Sequence, residues 1–212
     1  HPDGLSLDDV STAGMVATLE LDEGSVDTSN LNLTVALAAG CIRDLDGNSA
    51  TFGATQPVDL AAAVLVTVTD SDTSGNANGT FEQGDWVEFT FSEPLNTVPP
   101  LVAAGNVVLT DPSGNGNDTL QIVGLLNGSI NLGSNGYETR NNSVATFPSS
   151  TIALTSGNRV IRVTLVNACT GTNACGSNLG RSSGTVTFTF VTTLRAPDGL
   201  PISSGPISVS LF

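Results

Sequence analysis

A chain of 212 residues is long enough for one large or two small domains, and 39% hydrophobic residues supply a core. Asp and Glu total 20 against six basic residues, all of them arginine, for a net charge of −14. That charge repels phosphate backbones and excludes nucleic-acid binding, while it suits divalent cations or plain solubility.

No apolar run reaches the ~20 residues that span a membrane, so membrane insertion is not expected. The absence of lysine excludes Lys–Asn isopeptide cross-links. The chain opens on His1 without a signal peptide, which reads as a processed form or a fragment.

Helical periodicity is nearly absent. Thr, Val, Asn and Ser fill short segments between turn signals, at the spacing of a β-sandwich. Strands are predicted over Val16–Leu19, Leu31–Ala38, Ala50–Ala54, Val64–Thr69, Trp86–Ser92, Asn106–Thr110, Thr119–Val123, Ser143–Phe147, Val160–Asn167, Thr185–Thr192 and Ile207–Phe212. Over Trp86–Ser92, Val87, Phe89 and Phe91 alternate with polar residues, the period-2 mark of a half-buried strand.

A repeat crosses this order. Met15–Cys41 lies over Ser143–Cys169 without gaps at a constant offset of 128 residues. Leu33, Val35 and Leu37 then coincide with Ile161, Val163 and Leu165, so one inward strand face is reproduced, and Val64–Val68 has a looser counterpart in Ile207–Leu211. The division that follows is a partial unit over 1–58, a complete unit over 59–192, and a linker with a last strand over 193–212. A half unit exposes apolar faces and strand edges. Ile207, Val209, Leu211 and Phe212 form a strand with no following partner, a candidate for donation to another copy of the chain. Head-to-tail donation does not close and builds a filament.

Asp70 to Gly79 places oxygen ligands at alternate positions with glycines for tight turning. It is no EF-hand, since Phe81 falls where the twelfth-position Glu belongs. An irregular calcium site from Asp70, Asp72, Asn76, Asn78, Glu82 or Asp85 stands beside the plainer reading, a solvated Asx/Gly turn. Asp44, Asp46 and Asn48 form a second cluster with the same two readings. Cys169 and Cys175 suit a disulfide that clips a hairpin, and too few Cys or His accompany them for a metal–thiolate site. Cys41 is left free or paired between chains.

Sequons fall at Asn32, Asn78, Asn117, Asn127 and Asn141, where surface glycans attach if the chain is secreted in a glycosylating organism. Gly180–Gly184 matches G-x-S-x-G, but a Thr/Val/Phe strand follows it and the sole histidine is His1. No catalytic residue is assigned. One Trp (Trp86) and one Tyr (Tyr137) are few for a sugar-stacking cleft, which weakens the reading of an accessory module of a secreted hydrolase.

The segment "GTFEQGDWVEFTFSEPLN", Gly79–Asn96, resembles the opening of the bacterial Ig-like repeats of large surface adhesins and S-layer-type proteins. "GCIRDLDGNSA" is similar to the sequence that closes such repeats, and "DLAAAVLV" resembles the bridge into the next. The resemblance implies Ig-like β-sandwich units, an extracellular location and calcium between units. The expectation is an all-β, non-enzymatic structural protein: a surface filament assembled by strand donation, or a tandem-repeat fragment of an adhesin.

Overall fold

A computed structural model describes residues 6–13, 16–22, 34–37, 40–41, 43–49, 52–55, 62–71, 79–96, 105–112, 116–138, 141–171, 175, 179–180, 182–197 and 199–211. Every regular element among them is a β-strand, and the chain divides into two compact units, His1–Ala61 and Ala62–Phe212.

Among its described residues the first unit contains two strand pairs. β1 (Ser6–Ala13) and β2 (Val16–Asp22) form a tight antiparallel hairpin, with Val10 opposite Leu19 and a bulge between Leu7 and Asp9. β3 (Val35–Leu37) pairs antiparallel with β4 (Phe52–Thr55). β2 begins at Val16 and the later strand β10 at Val144, the same offset of 128 residues that relates the repeated segments. The pairings differ, however: β2 pairs with β1, whereas β10 pairs with two strands of the second unit.

The second unit is built on a seven-stranded antiparallel sheet. Its strands are β5 (Leu65–Asp70), β6 (Trp86–Phe91), β7 (Gly105–Thr110), β8 (Thr119–Ile122), β9 (Ile130–Asn131), β10 (Val144–Thr155) and β11 (Val160–Thr164), in the order β5-β6-β11-β10-β7-β8-β9. The long strand β10 is what makes the sheet curl. Its first part, Val144–Phe147, pairs with β7, while Thr151–Thr155 pairs with β11. The register breaks between Phe147 and Ser150, at Pro148, which has no N–H to give the ladder, and Ser149, whose φ is 55°. A strand bent at such a point turns the inward faces of both halves of the sheet onto one core.

Alternation sets which side chains enter that core. Val87, Phe89 and Phe91 of β6 are buried, as are Ile161 and Val163 of β11 and Leu165 just beyond it, as their period-2 pattern predicts. Phe188 and Phe190 pack edge-on against Phe89 at centroid distances of 5.2 and 5.8 Å, and Phe81 packs on Phe147 at 4.6 Å. Edge-to-face pairs add about 0.5–1.5 kcal/mol each beyond the burial of apolar area.

A two-stranded ribbon, β12 (Ser182–Thr187) with β13 (Pro206–Leu211), completes the unit. The expectation of an unpartnered strand at 207–212 is therefore corrected over Pro206–Leu211. These residues run antiparallel to β12 from Ser182↔Leu211 to Thr187↔Pro206, and Val209 and Leu211 are buried in the common core. The alternating Ile207, Val209 and Leu211 had an apolar face to bury, and their own chain supplies the place. Phe212 lies outside the described residues.

Candidate functional site

Two places carry the predicted site residues: the strand β13 with its surroundings, and the acidic turns. The residues flanking β13 in the chain and in its ribbon meet both edge strands of the curled sheet. On one side, just before β13, Ser203 bridges in parallel to Val64; the Leu65 amide donates to the Ser203 carbonyl at 3.1 Å and the Ser203 amide to that of Ala63 at 2.9 Å. On the other side, β12 lies so close to β9 that a Cβ on Gly184 would stand 1.9 Å from the Leu132 carbonyl oxygen. Glycine is the residue that permits this approach. The segment that carries the ribbon thus meets the sheet at the start of β5 and at the end of β9.

At the acidic loop, the structure brings together Asp70, Ser71, Glu82 and Asp85. Asp70 and Asp85 are buried, and Glu82 is half-buried. Asp85 accepts from the Ser71 hydroxyl at 2.9 Å through one oxygen and from the Glu82 amide at 2.7 Å through the other. Ser71 Oγ in turn accepts from the Trp86 amide at 3.1 Å. Asp85 thereby ties the Glu82–Asp85 turn to the end of β5 and fixes the start of β6. Asp72, Asn76 and Asn78 lie outside the described residues. Among the described residues, no three His, Cys, Asp or Glu side chains converge to hold a metal ion.

The second acidic cluster is an exposed, self-closed turn. Asp44 Oδ1 accepts from the Asp46 and Asn48 amides at 3.0 and 2.8 Å, and Oδ2 accepts from the Asn48 side chain at 2.9 Å. Arg43 donates across the turn to the Gly47 carbonyl at 2.9 Å. These donors, the Asn48 side chain first, hold the Asp44 carboxyl below its ordinary pKa. The positive φ of 82° at Gly47 closes the turn.

Cys169 and Cys175 form a disulfide, with Cα atoms 5.7 Å apart, and Cys41 is a free, exposed thiol. The disulfide sits beside the bridge in which Thr146 and Thr170 exchange backbone hydrogen bonds of 2.8 Å. Of the sequons, Asn117, Asn127 and Asn141 are exposed, and Asn32 and Asn78 lie outside the described residues. In the G-x-S-x-G segment, Ser182 opens β12 and its hydroxyl meets that of Ser134 at 2.6 Å. Trp86 is half-buried beneath the Arg162 guanidinium, 4.5 Å from the ring centroid, and Arg162 pairs with Glu88 at 2.7 Å. Tyr137 is buried in the core.

Reading by motif passed over a set of buried polar side chains at the end of β7, β8 and β10: Asp111, Asp118 and Ser143. Strand phase is the signal that marks them. Asp111 follows Leu109 by two residues and Asp118 precedes Leu120 by two, so each keeps the inward side of its strand.

Comparison with known proteins finds no match among family models, curated proteins or solved structures.

Proposed function

We infer that the chain is an extracellular, non-enzymatic structural protein whose β-rich units stand in tandem, spacing or presenting a binding region as in large surface adhesins. The second unit is read as an Ig-like sandwich, its two halves joined through the bent strand β10. One observation carries this reading. β13 pairs with β12 and buries Val209 and Leu211 in the core of its own unit, while Ser203 and β12 meet both edge strands of the curled sheet, and a strand seated in this way needs no neighbour to receive it. The disulfide supports an oxidising compartment. The acidic, lysine-free composition supports a solvated surface facing other macromolecules. Glycans at Asn117, Asn127 and Asn141 belong to this reading as surface decoration. Sedimentation of the full chain over a wide concentration range tests the spacer role: a monomer throughout supports it, and growth into long assemblies contradicts it.

A second reading, a filament of identical copies, draws on how β13 is held. Among the described residues its ladder runs to β12 alone, so the same pairing made between copies is a strand exchange. Donation would then require β13 to leave β12 and bury Val209 and Leu211 in a neighbour. Polymers that disappear when residues 206–212 are removed, while the remaining chain stays folded, would establish this reading over the spacer.

A further inference from the structure

The buried polar row at the end of the sheet has the composition of a cation site. β7 pairs with β8 through Thr110↔Thr119 and with β10 through Thr110↔Val144. One residue further along, Asp111 stands between Asp118 and Ser143, and its amide donates to the Ser143 carbonyl at 3.1 Å. The preceding inward row is Leu120, Leu109 and Ala145, all in the hydrophobic core. By the two-residue alternation of strands, Asp118, Asp111 and Ser143 project from the same side of the sheet, and their exposures are only 0%, 4% and 3%.

The hydrogen bonds of the row do not satisfy it. Asp118 Oδ2 accepts from the Tyr137 amide at 2.8 Å and the Glu138 amide at 3.0 Å. Asp118 Oδ1, Asp111 Oδ1 and Ser143 Oγ are buried and have no hydrogen-bond partner among the described residues. Burial holds the Asp118 carboxyl above its ordinary pKa, and the nearby negative charge of Asp111 adds to the effect. Two adjacent buried carboxylates need either a proton or a counter-cation between them. Ser143 separates the two cases: an unpartnered hydroxyl on the same side adds a third oxygen ligand, which a proton shared by the carboxylates would not require.

We propose that Asp111, Asp118 and Ser143 form a binding site for a divalent cation. The donors are all hard oxygens, the set that suits calcium or magnesium over softer metals. Two carboxylates neutralise a 2+ charge, and calcium fills the rest of its shell with water or backbone carbonyls. The site uses no residue of the Asp70–Asp85 loop or of the Asp44 turn. It ties together β7, β8 and β10, the half of the sheet beyond the bend at Pro148.

The test uses the full chain, stripped with a chelator and titrated with calcium chloride while melting temperature is followed. Terbium, excited through the buried Tyr137, serves as a second probe. Calcium is expected to raise the melting temperature, with an increment that grows as the logarithm of its concentration above the dissociation constant. Asp111→Asn should lose that response and, in chelator, melt above the wild type, because one of two opposed charges is gone. Asp70→Asn should keep the response. Ser143→Ala removes a single hydroxyl ligand and should weaken calcium binding several-fold, which keeps the test decisive even where Asp111→Asn fails to fold. An absent calcium response in the wild type overturns the site, as does a response that Asp111→Asn or Ser143→Ala leaves unchanged. Stability that varies with pH through the carboxylate range and ignores calcium would mark a shared proton instead, and also overturns it.

Discussion

Gly184 faces the carbonyl of Leu132 at a distance that leaves no room for a side chain: a Cβ would lie 1.9 Å from the oxygen. At this contact, and at the approach of Gly133 to Thr185 beside it, β12 is laid against the end of β9, and β13, paired with β12, is carried into the core. A methyl group at Gly184 must push the ribbon outward. Gly184→Ala is expected to cost about 1–3 kcal/mol, the range for overpacking, and denaturant unfolding measures it. The amide protons of Val209 and Leu211 should lose exchange protection in the variant.

Phe89 is the hinge of the aromatic cluster, fully buried and edge-on to both Phe188 and Phe190. Phe89→Ala removes a large side chain that the surrounding strands are too constrained to replace. The expected loss is about 3–5 kcal/mol, read from chemical denaturation. Phe89→Leu should recover much of it.

The Cys169–Cys175 disulfide closes a short loop, with a sequence separation of 6. On the chain-entropy account its removal costs about 2 kcal/mol. Cys175→Ser should therefore lower stability modestly while leaving the rest of the core cooperative. A loss many times larger would mean that the loop carries more of the fold than the Thr146–Thr170 bridge beside it.

Asp118 gives a pH dependence of definite sign. Its folded pKa is raised, first by burial. Its stabilising contribution is therefore fully present below the unfolded value of 3.8 and is lost as pH rises through the higher folded value. In chelator, the wild type should lose stability relative to Asp118→Asn as pH rises from about 4 towards neutrality. The asparagine keeps a carbonyl acceptor for the Tyr137 and Glu138 amides, so thermal melts of the pair isolate the charge. A difference independent of pH would contradict the linkage.

Much of the second unit was legible in its residues. The alternation of Val87, Phe89 and Phe91, and of Ile161, Val163 and Leu165, named both the strands and their buried faces, because period 2 survives wherever one side meets solvent and the other the core. β1 was missed where Asp8 and Asp9 interrupt that pattern at a bulge, and β9 because two residues carry no period. The second half of β10 was hidden by Pro148, which reads as a strand end and here bends one. β13 was recognised as a strand, but its partner was not, since alternation says which face is buried and not against what. At the acidic loops, motif spacing pointed to Asp44 and Asp70, whereas the row of Asp111, Asp118 and Ser143 carries buried oxygens with no hydrogen-bond partner among the described residues. Burial and pairing, which spacing does not encode, separate the two.

Whether β13 completes its own unit is decided by comparing the full chain with one ending at Gly205, in sedimentation and in denaturant unfolding. The full chain should stay monomeric, and the shortened one should be destabilised because the core has lost Val209 and Leu211. A full chain that polymerises, with a shortened one that remains a stable folded monomer, would contradict it.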